Sequence, residues 1–331
     1  MKKVFIDGSA GTTGLRIAQR LAQRSDIEVL SIPEELRKDP AERSKMLNSA
    51  DIVFLCLPDD AAREAVSMID NPDVCVIDTS TAHRTAGGWT YGFPEIGGRK
   101  QEIATSKRIA NPGCHASGFI SLVAPLVEYG LLRKDVQLTA YSLTGYSGGG
   151  KKMIAQYEDP ERSALLDAPR MYGLTQKHKH LPEMAAVCGL ENAPVFCPVV
   201  APYYAGMQVT IPLFKDMVAV DPAEIKYVYG KYYTGKLVKF SDCPDDGGFL
   251  SAGLFAGRDD MVMSVYGNDN RILLVSTFDN LGKGASGAAI QNMNLVLGAD
   301  ETEGLVTGDP ATGDCLTGSC LTGGCLTGGQ A

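Results

Sequence analysis

The chain has 331 residues, 44% of them hydrophobic and 21% charged, and a formal net charge of −8. Its length exceeds the roughly 250 to 300 residues at which a single core stops growing, so about two domains are expected. Five acids and no Lys or Arg fall in residues 299–331, which leaves −3 for the body; with no basic stripe and no run near the ~18 apolar residues of a membrane helix, the pattern argues against nucleic-acid and membrane partners.

The first residues, MKKVFIDG, pass from two lysines straight into a strand, without the apolar core of a secretory signal, which predicts a cytoplasmic protein. Nine cysteines, an odd number with no CxxC pair, predict reduced thiols, and Cys56 and Cys75 inside apolar strands read as small buried hydrophobes. Short apolar strands at 4–7, 27–32, 51–57 and 74–78 alternate with helical segments at 13–24, 40–49 and 59–69. That alternation predicts parallel βαβ units, in a sheet covered on both faces.

Between the first strand and the first helix lies GSAGTTG, carrying Gly8, Gly11 and Gly14 with Thr12 and Thr13 at the helix mouth. Glycines at that junction let the backbone turn sharply and approach a pyrophosphate, whose charge the helix N-terminus stabilises. The spacing is GxxGxxG, not the GxGxxG of the NAD fingerprint. An acid at the end of the second strand would hold the ribose 2′-hydroxyl of NAD, whereas an Arg nearby accommodates the 2′-phosphate of NADP. Ser31 stands at that tip with Arg37 and Lys38 a few residues on, which favours NADP against the competing presence of Glu34 and Glu35.

The fourth strand runs into DTSTAHR (78–84) and delivers Arg84, whose planar fork suits a phosphate or carboxylate. NPGCHASG (111–118) then makes a turn and opens an apolar helical run, so Cys114 is expected at or just before a helix N-terminus. Free N–H groups and the helix dipole there lower a thiol pKa from its usual ~8.5, giving a nucleophilic thiolate, and the same N–H groups suit an oxyanion.

After residue 130 the strands lengthen (136–143, 206–214, 260–267, 271–278) and are separated by segments that read as loops, which predicts an α+β second domain with a largely antiparallel sheet. TGYSGGGKK (144–152) offers N–H donors, Ser147 and two lysines to a phosphate. In QKHKHLPE, His178 and His180 lie two apart and face one side if the segment is extended, with Glu183 placed to orient either; His115 is expected to diverge from Cys114. A helix at 284–298, rich in Ala and Gly, is built for close packing. The closing DCLTG, SCLTG, GCLTG repeat (314–328) lacks His and paired CxxC, so it reads as a flexible tail and no metal is expected.

Taken together and in order, GSAGTTG, DTSTAHR, YGFPE (91–95), NPGC, GYSGGG, HKHLPE and DNLGKGASGAAIQNMN (279–294) resemble N-acetyl-γ-glutamyl-phosphate reductase of the short bacterial type, a relative of aspartate-semialdehyde dehydrogenase. The resemblance implies an NADP-binding Rossmann domain over residues 1–114, completed by the 284–298 helix, and an α+β catalytic and dimerisation domain over 115–283. It implies a homo-oligomer (dimer or tetramer), a small-molecule acyl-phosphate substrate and a place in arginine biosynthesis. By the same likeness the nucleophile falls on Cys114, the acid–base histidines on His178 and His180, and a substrate-binding arginine on Arg84, accompanied by Ser147 and Glu183. The stretch near the nicotinamide falls on Asn280 to Gly284, with Asn280 and Lys283 as cofactor contacts. His115 departs from the aromatic residue that many members carry, and the tail over 299–331 has no expected counterpart. Two rivals stand beside this reading: an aspartate-semialdehyde or other acyl-phosphate reductase, whose Asn-Cys-Thr turn NPGC does not match, and a nonenzymatic NADP-binding sensor, which requires an inert Cys114.

Overall fold

A computed structural model describes residues 1–37, 39–242 and 244–308. The first 110 residues contain six strands, β1 (Lys2–Asp7), β2 (Ile27–Leu30), β3 (Ile52–Leu55), β4 (Cys75–Asp78), β5 (Thr90–Tyr91) and β6 (Arg108–Ala110). They form one sheet in the order β2-β1-β3-β4-β6-β5, and every pairing is parallel. Both faces are covered, as the unbroken apolar strands demand. Phe5, Val53 and Val76 pack on one side with Leu47 of α2 (Pro40–Ser49) and Ala62 of α3 (Asp59–Ser67). Val4, Ile6, Phe54 and Ile77 pack on the other, with Ile17 of α1 (Thr12–Leu21) and Ile103 of α4 (Lys100–Thr105). The order reverses at β1, so the crevice where dinucleotides bind in such sheets opens beside the glycine turn.

The second sheet is built from β7 (Thr139–Gly145), β8 (Arg170–Met171), β9 (Val195–Ala201), β10 (Met207–Phe214), β11 (Val238–Phe240), β12 (Met261–Asn268) and β13 (Arg271–Phe278), in the order β11-β12-β13-β10-β7-β9-β8. It is mixed rather than largely antiparallel: β12–β13, β13–β10, β10–β7 and β9–β8 run antiparallel, but β7–β9 and β11–β12 are parallel. Parallel neighbours need crossovers; helices supply the one from β7 to β9, whereas residues 241–260, between β11 and β12, hold no helix among the described residues. The expected helix after the NPG turn is α5 (Cys114–Glu128), and the segments that read as loops contain α6 (Gly150–Glu158), α7 (Leu181–Cys188) and α8 (Pro222–Tyr232).

α5 is buried along twelve successive positions from His115 to Leu126, because it is sandwiched between the inner face of this sheet and helices α7 and α8. Its approach is closest at Gly118, where an added Cβ would lie 2.8 Å from the Ser276 hydroxyl and 2.9 Å from the Phe278 ring. The outer face of the sheet presents Tyr141, Val195, Phe214 and Leu273 to solvent, 41 to 65% exposed.

The last helix, α9 (Gly287–Leu297), returns to the first sheet and contributes Ala289, Ile290 and Met293 to the core formed by Val4, Ile6 and Ile77. It is preceded by a π-helical turn, Gly282–Ser286, so the regular helix begins later than residue 284. Residues 299–308 also depart from the expected loose tail. Val306 and Asp259 exchange two hydrogen bonds of 2.8 Å, and Leu305 packs against both major cores. The CLTG repeat lies outside the described residues.

Gly118→Ala is expected to lower unfolding free energy by about 1–3 kcal/mol, since the buried Val209, Ser276 and Phe278 side chains must yield to the new methyl group. Urea denaturation gives the value, and an unchanged midpoint would contradict the close approach.

Candidate active site

β6 ends at Ala110, and the NPG turn that follows is tied on three sides. The Asn111 N–H donates to Asp78 O at 2.8 Å, its side-chain amide donates to Ala285 O at 3.1 Å, and the Gly113 N–H donates to Glu183 at 3.3 Å. Cys114 is thereby set as the first residue of α5 with Gly113 as N-cap. It opens on a cavity of about 400 Å³ between the two sheets, whose walls include Thr12, Thr13, Arg84, His178, His180 and Asn280. Gly284, on the π-turn, fits against Cys114 so closely that a Cβ there would sit 2.9 Å from the cysteine Cβ.

Arg84 reaches the cavity from the loop after β4. Its Nε donates to Asn111 O at 3.0 Å, Nη2 to Thr79 O at 3.1 Å and Nη1 to Glu183 at 2.6 Å. Three of about five guanidinium hydrogens are thus used, and the remainder are free for an anion. Glu183 is buried and does not line the cavity. Its second oxygen accepts from the Tyr91 hydroxyl at 2.8 Å, so this carboxylate backs the arginine rather than meeting a substrate. Burial and the neighbouring Glu183 charge push the Tyr91 phenol well up, which keeps it a donor.

The histidines do not lie on an extended strand. His180 is the N-cap of α7, and the rings of His178 and His180 meet edge to face, 4.7 Å apart. The His180 N–H donates to His178 Nδ1 at 3.2 Å, which fixes the proton of a neutral His178 on Nε2. His180 Nε2 is 4.0 Å from Glu183, its Nδ1 is buried without a partner, and its ring lies over Gly113, where a Cβ would meet Nε2 at 2.5 Å. His115 joins them, with its ring 5.5 and 5.6 Å from the other two. Burial pulls His115 down to about 3 and His178 to about 4, and drives His180 well below the ordinary imidazole range.

Cys114 starts a helix, but its thiol is pushed up to about 11, not down. Burial is the largest cause; Arg84 and a hydrogen bond from the His115 backbone oppose it without prevailing. The terminal dipole is worth about 0.3–1 kcal/mol at most sites, less than the cost of desolvating a thiolate. The free site therefore holds a neutral thiol among neutral imidazoles.

The glycine turn fits a pyrophosphate. Gly8 has φ +87°, and a Cβ on it would strike the Cys56 carbonyl; a Cβ on Gly14 would meet Gly8 O at 2.5 Å. Only glycine permits that fold, which aims the start of α1 outward with no side chain capping it and leaves the Thr12 hydroxyl buried without a partner. Gly11, Thr12, Thr13 and Gly14 line a second cleft of about 400 Å³ that also receives Lys151 and Lys179.

Ser31 is exposed at the end of β2, and Arg37 is exposed and paired with Glu34 at 3.0 Å; Lys38 lies outside the described residues. Arg43, which sequence did not single out, is held beneath the β1 tip by Asp7 at 2.9 Å. Asn280 binds Ser147 Oγ at 3.0 Å and the Gly206 N–H at 3.0 Å, so Ser147 and Asn280 meet in the wall of the cavity. Lys283 does not meet it. Its ammonium is buried between Glu95, at 2.9 Å, and Gln291, over the Phe93 ring, and so braces the π-turn instead of a cofactor. Tyr172, Met153 and Val200 also line the cavity, with no local motif to announce them.

This geometry, a cysteine at a helix start facing the glycine turn of the first sheet, belongs to the semialdehyde dehydrogenase class. Residues 3–105 match the semialdehyde dehydrogenase NAD binding domain and 114–280 match the semialdehyde dehydrogenase dimerisation domain. Solved structures with the same fold include aspartate semialdehyde dehydrogenase II from Vibrio cholerae (TM-score 0.67, 15% identity, 90% of this chain and 98% of that one). Another is the Candida albicans aspartate semialdehyde dehydrogenase with NADP (TM-score 0.62, 15% identity, 89% and 99%). Curated relatives are much nearer in sequence. N-acetyl-gamma-glutamyl-phosphate reductase 2 of Nostoc sp. is 46% identical over 318 residues, 92% of this chain and 99% of its own. The N-acetyl-gamma-glutamyl-phosphate reductase of Rhizobium meliloti is 47% identical over 307 residues, 90% and 99%. The chain belongs to the N-acetyl-γ-glutamyl-phosphate reductase family.

As pH falls from about 6.5 toward 5, an unfolded chain takes up protons on these histidines that the folded chain refuses, so stability is greatest above that window and declines through it. His115→Phe removes one such site and is expected to flatten the slope by up to about 1.4 kcal/mol per pH unit. Urea titrations across the window test this; parallel slopes for the two proteins would refute it.

Proposed function

We propose that the chain carries out the NADPH-dependent reductive dephosphorylation of N-acetyl-γ-glutamyl phosphate to N-acetylglutamate 5-semialdehyde, a step of arginine biosynthesis, through a thioacyl intermediate on Cys114. The observation that carries the reading is the single cavity shared by Cys114, Arg84, the two histidines and the Thr12–Thr13 end of the glycine turn.

A thiol raised by burial reacts only if its proton leaves as the new bond forms. His180, kept neutral and with a free buried nitrogen, suits that task. As Sγ bonds to the acyl carbon, the carbon–oxygen bond to phosphate breaks, and phosphate departs with the thiol proton relayed by His180. Arg84 meets the phosphate with its unused hydrogens, and Ser147 with the N-terminal turn of α6 offers further donors. Gly8, Gly11, Thr12, Thr13 and Gly14 would hold the cofactor pyrophosphate, Asn280 would stand beside the nicotinamide, and the exposed Ser31 and Arg37 would meet the 2′-phosphate. NADP in its reduced form supplies the hydride. Reduction of the thioester leaves a hemithioacetal on Cys114; its carbon–sulfur bond breaks to free the aldehyde, and a solvent proton passed through His178 or His180 restores the thiol.

We further infer that the homo-oligomer forms through the outer face of the second sheet, where Tyr141, Val195, Phe214 and Leu273 are exposed in the region matching the dimerisation domain. No helix among the described residues is long and apolar enough to cross a membrane.

Run in reverse, with N-acetylglutamate semialdehyde, phosphate and NADP, the wild-type protein is expected to show phosphate-dependent growth of the NADPH absorbance. Cys114→Ser should lower it by at least about 10³-fold while NADP binding stays near normal. A signal with aspartate semialdehyde alone would move the substrate to the rival enzyme. Leu273→Arg is expected to halve the mass seen by light scattering, and an unaltered mass would place the interface elsewhere.

A further inference from the structure

His115, the residue next to the nucleophile, is buried and sits between two hydroxyls. Nδ1 lies 2.6 Å from Ser142 Oγ, and Nε2 lies 2.6 Å from the Tyr172 hydroxyl. Ser142 is buried on β7 with that nitrogen as its one side-chain partner. A buried O–H left without an acceptor costs about 1–3 kcal/mol, more than an oxygen that merely accepts nothing. The Ser142 proton therefore points at Nδ1, which puts the imidazole proton on Nε2, from where it is donated to the Tyr172 oxygen. The phenol's own hydrogen is then unclaimed inside the protein, and Tyr172 lines the cavity. Each donor in this chain polarises the next, which strengthens the last one.

The Tyr172 hydroxyl is hydrogen-bonded to the neutral His115 and makes no ion pair, while the cavity's charged groups are Arg84 and Lys179. Tyr172 and Met153 pack on the apolar cluster of Tyr157, Leu166 and Val200, and both Met153 and Val200 reach the same cavity. A neutral donor beside an apolar wall suits a carbonyl that bears a methyl group. A carboxylate or phosphate would call for the cationic side, where Arg84 stands.

We propose that the Tyr172 hydroxyl, oriented by His115 and Ser142, donates to the acetamido carbonyl of the substrate while Met153 and Val200 receive its methyl group. Tyr172 is thus a specificity residue that distinguishes acylated from non-acylated chains. The inference rests on the reaction proposed above and deepens it. Burial keeps His115 unprotonated through the neutral range and holds the phenol far above it, so the donor is constant with pH.

The test compares two aldehydes in the reverse assay: N-acetylglutamate semialdehyde, and glutarate semialdehyde, which is the same chain without the acetamido group. Tyr172→Phe keeps the ring and its packing; it is expected to raise KM for the acetylated aldehyde about tenfold with kcat within about twofold, and to leave glutarate semialdehyde unaffected. His115→Phe, which leaves the phenol without its holder, should give a smaller shift of the same kind. NADP titration of both variants checks the fold. Equal losses on both aldehydes, or a fall in kcat at constant KM, would overturn the assignment and place the phenol at the reacting oxygen. An active wild type with unchanged preference in Tyr172→Phe would overturn this inference alone, whereas a wild type silent toward N-acetylglutamate semialdehyde would overturn the proposed reaction as well.

Discussion

The site is organised around one buried ion pair, Arg84 with Glu183, at 2.6 Å. It joins a loop of the dinucleotide-binding sheet to a helix of the second domain. The other carboxylate oxygen takes the Tyr91 hydroxyl and the N–H of the residue before the nucleophile. Arg84, Tyr91 and Gly113, each at least 70 residues from Glu183 in sequence, thus converge on one carboxylate. Removing either partner of such a pair costs about 3–5 kcal/mol because the survivor is stranded in a low dielectric. The pair fixes the guanidinium at the cavity wall, and Gly113 is bare so that Arg84 and His180 can close over the turn.

Beside this charged pair stand a protonated thiol, three neutral imidazoles and a protonated phenol, each held so chiefly by desolvation, with the Lys179 ammonium as a further charge in the cavity wall. The arrangement favours concerted proton movement during bond formation over a standing thiolate. It also spares Cys114 from oxidants, because a thiol at about 11 presents little anion at neutral pH.

Much of this was legible in the residues. Continuous apolar strands could only belong to a sheet with two covered faces, and Pro-Gly before Cys114 could only start a helix after a turn. What escaped was set by distant partners. Position told that Cys114 began a helix; it could not tell that Gly284 and the second sheet would desolvate it. Lys283 sits in a motif beside the cofactor region, yet Glu95, 188 residues earlier, turns its ammonium away. Glu183 reads as an orienter of histidine and proves to be the anchor of Arg84. The helices α6 and α7 open on glycines or a proline and hardly repeat an apolar face, so they read as loops, and the parallel β7–β9 pairing that α6 and α7 span went unseen with them.

The return of α9 to the first sheet has a consequence for biogenesis. The second sheet and helices α5 to α8 come from one uninterrupted stretch, 114–278, whereas the first sheet lacks Ala289, Ile290 and Met293 until nearly the whole chain exists. On the ribosome the N-terminal strands are made first but completed last, waiting with Val4, Ile6 and Ile77 uncovered while the downstream domain folds. The nucleotide-binding sheet is thus complete only once α9 has been synthesised.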